Sequence, residues 1–185
     1  DNGTVITTSG SSSSFFELLG GDGGWIVWDP NNAGRVYASY YNLNIYRFRG
    51  DTFKNVTPPA PSSEKGSIWM AFICLDPNNA QTVFTGSFRV WRTRNDANNW
   101  TPVSPVLDGS SISAIEVAPA DSKRVYVGTE NGGFFRSLDG GDTWSPNLSS
   151  SVLPGHTITR LETSPTDAKV IYATIANFGH SHVFR

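Results

Sequence analysis

The stretch Trp25-Ile26-Val27-Trp28-Asp29-Pro30-Asn31-Asn32 returns in the same order of residue types as Phe72-Ile73-Cys74-Leu75-Asp76-Pro77-Asn78-Asn79. In each copy a second apolar run follows, beginning at Val36 or Val83. Two further copies carry their prolines at positions 119 and 165, so that the four prolines recur every 42 to 47 residues. A repeat of this length is typical of four-stranded propeller blades and is too long for leucine-rich or short helical repeats.

The apolar runs inside each repeat indicate strands. They are short, rich in β-branched and aromatic residues, and bounded by Pro, Asn, Asp or Gly. No stretch shows helical periodicity. We therefore predict an all-β fold, a β-propeller of four-stranded antiparallel blades with about four blades present. A single blade cannot bury both faces of its sheet, so neighbouring blades must stack.

The repeat predicts that residues 1–185 form one partial propeller, with the following blade boundaries. Residues 1–24 form the outer strands of a preceding blade, and blades follow at 25–60, 68–104, 111–147 and, incompletely, 158–185. The chain starts without methionine and stops in the strand-like run Val183-Phe184-Arg185. We expect a seven- or eight-bladed ring, with the remaining blades supplied by the same longer chain or by a partner chain.

Residues 137–144 carry a more specific signal. They read Ser137-Leu138-Asp139-Gly140-Gly141-Asp142-Thr143-Trp144. This pattern resembles the Asp-box, Ser-x-Asp-x-Gly-x-Thr-Trp, of BNR-repeat propellers, and degenerate copies lie in phase at 93–100 and 48–53. The resemblance implies a turn between the third and fourth strands of a blade. In it Ser137, Asp139, Gly141, Thr143 and Trp144 have structural roles.

The first residues carry a second resemblance. Asp1-Asn2-Gly3-Thr4 and Gly20-Gly21-Asp22-Gly23-Gly24 are similar to signatures of large secreted bacterial BNR-repeat proteins. The resemblance implies an extracellular or cell-surface location.

Two enzyme groups share these motifs. Sialidases need an arginine cluster, but Arg47, Arg92, Arg136 and Arg185 recur at the end of every third strand and therefore belong to the repeat. The sequence from Thr129 to Arg136 resembles the Thr-Asp-Val-Gly-Gly-x-Tyr-Arg repeat of xyloglucanase-like glycosidases, with Glu130 at the catalytic aspartate's position. Glycoside hydrolysis ordinarily requires two carboxyl groups. The sequence identifies no second one, because Asp22 lies among glycines and is more typical of a turn.

Aromatic and polar residues of the corresponding loops are candidates for ligand binding. They are Tyr40, Tyr41, Asn131 and Phe178. The leading hypothesis is a secreted or cell-surface propeller module that binds a glycan or a protein, or acts as a scaffold, without catalysis. The alternative is a fragment of a glycoside hydrolase of the xyloglucanase-like or sialidase-like type.

Composition excludes other classes. The formal net charge is −2 with 16% charged residues and no basic cluster, which argues against nucleic acid as a partner. No apolar run is long enough for a transmembrane helix. No cofactor or metal is predicted, because His180 and His182 lack further ligands nearby in sequence. Cys74 lies in an apolar run and is expected to be a buried hydrophobic residue.

Overall fold

A computed structural model describes residues 3–7, 15–50, 52–65, 69–149, 152–179 and 181–185. Within them the regular structure is β, apart from one helical turn, α1 (Ser62–Lys65), which the sequence did not predict. The strands form antiparallel sheets in which chain neighbours pair. This confirms the all-β class. The segment Asp1-Asn2 and the histidine His180 lie outside the described residues.

Four sheets follow the four sequence repeats. Sheet I contains β3 (Ile26–Asp29), β4 (Asn32–Tyr40), β5 (Asn44–Arg49) and β6 (Thr52–Asn55). Sheet II contains β7 (Ile73–Leu75), β8 (Val83–Gly86), β9 (Val90–Thr93) and β10 (Thr101–Pro102). Sheet III contains β11 (Ile112–Val117), β12 (Val125–Thr129) and β13 (Phe134–Ser137). Sheet IV contains β14 (Ile158–Thr163), β15 (Ile171–Ile175) and β16 (Val183–Phe184). Before them β1 (Thr4–Ile6) pairs with β2 (Phe16–Leu19).

Sheet III differs from the expected four-stranded blade. The segment after its Asp-box follows β13, since the amides of Ser145 and Leu148 donate to the carbonyls of Arg136 and Phe134. Between them Pro146 has no amide hydrogen, and the Asn147 side chain accepts from the amide of Phe134 at 3.1 Å. A side chain thus replaces part of the backbone ladder, and no fourth strand forms among the described residues of this sheet.

The hydrophobic core lies between adjacent sheets. One cluster joins sheets I and II and includes Tyr37, Ile45, Ile73 and Trp91. Further clusters join sheets II and III, around Phe84 and Ile115, and sheets III and IV, around Tyr126 and Leu161. Cys74 belongs to the second of these clusters and is buried as expected, and burial raises the pKa of its thiol to about 12.

The first strands of the sheets line a common groove. The guanidinium carbon of Arg160, on β14, lies 5.6 Å from the ring centroids of both Trp25 and Phe72. Trp25 directly precedes β3, and Phe72 directly precedes β7. A side chain of sheet IV therefore reaches sheets I and II, which means that the four sheets curve around this groove.

The turn at 137–144 is closed by its own polar side chains. Asp139 Oδ1 accepts from the amides of Asp142 and Thr143 at 3.0 and 2.8 Å, and Oδ2 accepts from the Thr143 hydroxyl at 2.6 Å. The Ser137 hydroxyl accepts from the amide of Gly141 at 2.7 Å. Gly140 and Gly141 have φ of +75° and +94°, a region that favours glycine.

The degenerate copy at 93–100 folds in the same way. Asn95 Oδ1 accepts from the amide of Asn99, and the Thr93 hydroxyl accepts from the amide of Ala97. Asp96 and Ala97 have φ of +64° and +58° although neither is glycine. The tryptophans that end the two turns donate from Nε1 to the preceding sheet, Trp100 to the carbonyl of Val56 and Trp144 to that of Val103. The two turns thus have equivalent contacts.

Because the strands of each sheet are antiparallel, the loops that connect them lie alternately at the two ends of the strands, on two opposite faces of the molecule. One face carries the loops between second and third strands together with the linkers between sheets, and we call it the loop face. Backbone hydrogen bonds join these segments, such as the amide of Glu130 to the carbonyl of Ser111 and the amide of Ala176 to that of Thr157. The Asp-Pro-Asn-Asn turns and the Asp-box turns lie on the opposite face.

Candidate functional site

An exposed cluster of aromatic rings lies on the loop face of sheet I. Tyr40 ends β4, and the Tyr40 and Tyr41 ring centroids are 3.8 Å apart. Trp69, in the linker that leads to sheet II, has its ring centroid 6.2 Å from that of Tyr41. Trp69 is 66% exposed and Tyr41 37% exposed. We call Tyr40, Tyr41 and Trp69 the aromatic surface.

Backbone contacts fix the position of the aromatic surface. The amide of Asn42 donates to the carbonyl of Trp69 at 2.8 Å, and Tyr41 and Asn42 form β-bridges with Met70. The Asn44 side chain donates to the carbonyl of Tyr41 at 2.8 Å. The linker and the β4–β5 turn are therefore bonded together, which brings Trp69 beside a tyrosine 28 positions earlier in the chain.

The glycine-rich segment 20–24 lies against this surface. A Cβ at Gly21 would be 2.5 Å from the Tyr40 hydroxyl, and a Cβ at Gly24 would be 2.4 Å from the carbonyl oxygen of Ser39. Glycine at these positions lets the segment approach the end of β4 closely. Asp22 directly follows Gly21 in the chain. The structure thus places Asp22 beside the aromatic surface.

The two tyrosine hydroxyls are bonded to each other. The Tyr40 hydroxyl donates to that of Tyr41 at 2.7 Å. This hydrogen bond is the main cause, and burial the second, of a rise in the pKa of Tyr40 to about 12. The hydroxyl therefore stays protonated at neutral pH, and the rim of the apolar rings carries neutral groups that can donate and accept hydrogen bonds.

Glu130 is exposed in the turn between β12 and β13, also on the loop face. Two neighbouring segments hold this turn. The amide of Asn131 donates to the Ser110 hydroxyl at 3.1 Å, and the Thr157 hydroxyl donates to the carbonyl of Glu130 at 2.9 Å. A Cβ at Gly132 would be 2.6 Å from the backbone of Gly155. The backbone of the Glu130 turn is thus tied on both sides, while its side chain faces solvent.

Asp108 is a second carboxylate at this turn, and no sequence motif pointed to it. Its Oδ2 accepts from the Thr129 hydroxyl at 2.5 Å, and its Oδ1 accepts from the amide and hydroxyl of Ser110. Both oxygens are therefore engaged in holding the turn. This arrangement assigns Asp108 a positioning role beside Glu130.

The other predicted site residues do not join the aromatic surface. Asn131 lies in the Glu130 turn of sheet III. Phe178 lies in the corresponding loop of sheet IV and is 98% exposed. His182 Nδ1 lies 3.3 Å from the carbonyl oxygen of Ile175. In the part of the chain that the structure describes, no group of three metal-ligating side chains occurs.

Sequence reasoning missed the groove lined by the first strands. Its volume is about 360 Å³, and its lining includes Trp25, Trp28, Phe72, Glu116 and Arg160. Burial raises the pKa of Glu116, although hydrogen bonds from the hydroxyl and amide of Thr163 oppose the rise. Arg160 pairs with Glu162 at 3.1 Å. These residues come from strands far apart in sequence, so no local motif could identify them.

Comparison with known proteins identifies the fold. No protein-family model matches the chain, and no curated protein sequence matches it. Solved structures do match. A GH74 xyloglucanase from Xanthomonas campestris aligns with 85% of this chain at 14% identity, with a TM-score of 0.68. The extracellular domain of a predicted one-component system from B. thetaiotaomicron aligns with 83% at 16% identity and a TM-score of 0.61.

A third neighbour is an auxiliary nutrient binding protein from Bacteroides thetaiotaomicron, which aligns with 84% of this chain at 13% identity and a TM-score of 0.59. The chain spans only 28%, 20% and 36% of the lengths of these three neighbours. Their similarity places the chain among propeller-type all-β folds. The part of the chain that the structure describes contains no helix with the length and hydrophobicity of a transmembrane span.

Proposed function

We propose that this chain is a non-catalytic, glycan-binding propeller module that acts outside the cell or at its surface. The observation that carries the proposal is the aromatic surface. Three rings from two separate segments stand together on the loop face, and two of them are exposed to solvent. Aromatic side chains of soluble proteins are mostly buried, so an exposed group of them is typical of an interaction site.

The chemistry of the surface fits a sugar. The C–H face of a pyranose ring is weakly apolar and packs on an aromatic ring, while its hydroxyls require polar partners at the edge. The bonded hydroxyls of Tyr40 and Tyr41 supply such partners, and the nearby carboxylate of Asp22 can accept hydrogen bonds from sugar hydroxyls. The xyloglucanase among the structural neighbours supports a carbohydrate ligand, and the auxiliary nutrient binding protein supports a binding role. The extracellular neighbour supports the location.

Affinity electrophoresis tests this function. The chain is run through native gels that contain xyloglucan, mixed-linkage β-glucan or α-mannan, and we expect at least one polysaccharide to retard it. Tyr41→Ala and Trp69→Ala should each weaken the interaction about tenfold, the usual loss for a central aromatic contact. Phe53→Ala is the matched control because Phe53 is 51% exposed but lies beside the β5–β6 turn, toward the opposite end of sheet I. Unchanged retardation of the first two variants would contradict the proposal.

A glycoside hydrolase is the second candidate. It is supported by the exposed Glu130 in a turn that Asp108, Ser110 and Thr157 hold in place. Its test is release of reducing ends from xyloglucan by the purified chain and by Glu130→Gln. Activity that disappears in Glu130→Gln would replace the non-catalytic proposal. Activity that persists in this variant would exclude Glu130 as the catalytic acid.

A further inference from the structure

Two of the arginines that recur in the third strands, Arg47 and Arg92, bind the turn of the next sheet. Arg92 of sheet II donates from Nη1 to the carbonyl of Gly140 at 2.5 Å and pairs through Nη2 with Asp142 at 2.7 Å. Arg47 of sheet I makes the equivalent contacts with the carbonyl of Asp96 and the side chain of Asn98. Each contact thus joins a repeat arginine to the same two positions of the following Asp-box turn.

The tryptophan of that turn completes each junction. Trp100 and Trp144 pack against the clusters between sheets and donate to the carbonyls of Val56 and Val103. Val56 and Val103 occupy equivalent positions in their repeats. The amide of Val56 bonds to the carbonyl of Ile45, two residues before Arg47. The amide of Val103 bonds to the carbonyl of Val90, two residues before Arg92. The amide of Leu148 bonds in the same way to the carbonyl of Phe134, two residues before Arg136. Leu148 therefore marks the third such position.

The third junction lies between sheets III and IV. There, the described residues supply neither a turn that binds the repeat arginine nor a tryptophan that donates to the Leu148 carbonyl. Arg136 Nε is buried and has no hydrogen-bond partner in the part of the chain that the structure describes. A cavity of about 170 Å³ lies next to Leu148, in the same junction. Its lining is mainly apolar and includes Phe134, Leu148, Leu153, Ile171, Ala173 and Phe184. An indole and a turn carbonyl fill the corresponding places at the first two junctions.

We propose that this cavity and Arg136 form a docking site for a tryptophan-bearing turn of the Asp-box type, carried by a segment that pairs with the free edge of β16. The occupant is defined by three complementary features. Its indole enters the cavity and donates to the carbonyl of Leu148. The turn carbonyl and a carboxylate or amide two residues later accept from Arg136. Its backbone pairs with β16, which bonds to β15 alone among the described strands.

The test uses the whole chain extended after Arg185 by twelve residues with the sequence of residues 137–148, which places a tryptophan at the repeat spacing. We expect the extension to raise Tm by about 5 °C, the shift expected when one large side chain is buried in a chain of this size. The same extension with its tryptophan replaced by alanine is the control and should give little of this gain. Arg136→Met should reduce the gain of the full extension while changing the Tm of the unextended chain less.

Three results would overturn the proposal. The first is an equal gain with alanine in place of tryptophan. The second is a gain that Arg136→Met leaves unchanged. The third is a dimer of the unextended chain in light scattering that the Leu148→Asp variant converts to a monomer. A second copy of the chain would then be the occupant of the cavity.

Discussion

The carboxylate of Asp139 organises the turn in which it lies. It accepts hydrogen bonds from the hydroxyls of Ser137 and Thr143 and from the amides of Asp142 and Thr143. These bonds, led by that from the Thr143 hydroxyl, hold its pKa well below the usual range for aspartate. The equivalent residue of the preceding repeat is Asn95, which accepts fewer bonds. The sequence predicted this turn because all its partners lie within six residues of one another.

Asp139→Asn should therefore destabilise the chain in a pH-dependent way. A depressed native pKa contributes stability that is fully present above the unfolded value of about 3.9 and is lost as pH falls toward the native value. We expect the variant to unfold at lower urea concentration than the parent at pH 7, with the gap between them shrinking below pH 4. Urea unfolding at pH 7, 5 and 3 measures this gap, and a gap that does not depend on pH would contradict the account.

The aromatic surface shows how far residue-level prediction reaches. Tyr40 and Tyr41 follow a predicted strand within a repeat, so their position could be predicted. Trp69 lies in a linker that has no repeat pattern, and only the bonding of Asn42 to the linker brings it to Tyr41. A contact of this kind depends on the folded path of the linker and has no signature in local sequence.

At the scale of elements, close packing of neighbouring sheets depends on small residues at the end of the second strand. A Cβ at Gly86 would lie 2.8 Å from Ile112, and one at Gly128 would lie 2.5 Å from the Ile158 side chain. Ile112 and Ile158 begin the first strand of the next sheet. The same contact thus recurs at two junctions, and it explains glycine in a strand, where glycine otherwise costs stability.

Gly128→Ala should destabilise the chain by about 1–3 kcal/mol, because the added methyl group forces Ile158 and the sheet behind it to move. Gly34→Ala is the matched control, since Gly34 also lies in a strand and an added Cβ would meet only the Asn32 side chain within 3.4 Å. Differential scanning calorimetry of both variants measures the effect. Equal Tm values for the two variants would show that the sheet contact does not limit stability.

The elements themselves were largely predictable from sequence. The apolar runs and the Asp-Pro-Asn-Asn turns give strand positions directly, and Asp29 and Asp76 accept from the amides of Asn31 and Asn78 as such turns require. Prediction from sequence was wrong where individual residues change the backbone hydrogen bonding. Pro146 and Asn147 replace the expected fourth strand of sheet III, and the single turn α1 positions Glu64 to pair with Arg89 at 2.8 Å.

At the scale of the molecule, the sheets surround a groove that the repeat could not reveal. The guanidinium of Arg160, in sheet IV, lies over the rings of Trp25 and Phe72. The carboxylate of Glu116, in sheet III, accepts a hydrogen bond from the Thr163 hydroxyl of sheet IV. The repeat predicts that sheets stack, but the identity of groove side chains varies between repeats. The molecule therefore offers two surfaces that could contact a ligand, the groove and the aromatic surface of the loop face.

A crystal structure of the chain soaked with an oligosaccharide of the polysaccharide that retards it tests the central claim most directly. We predict electron density for a sugar ring packed against Tyr41 and Trp69, with a sugar hydroxyl within hydrogen-bond distance of Tyr40, Tyr41 or Asp22. A sugar bound in the groove beside Trp25 and Arg160, or across the Glu130 turn with the aromatic surface empty, would contradict the account.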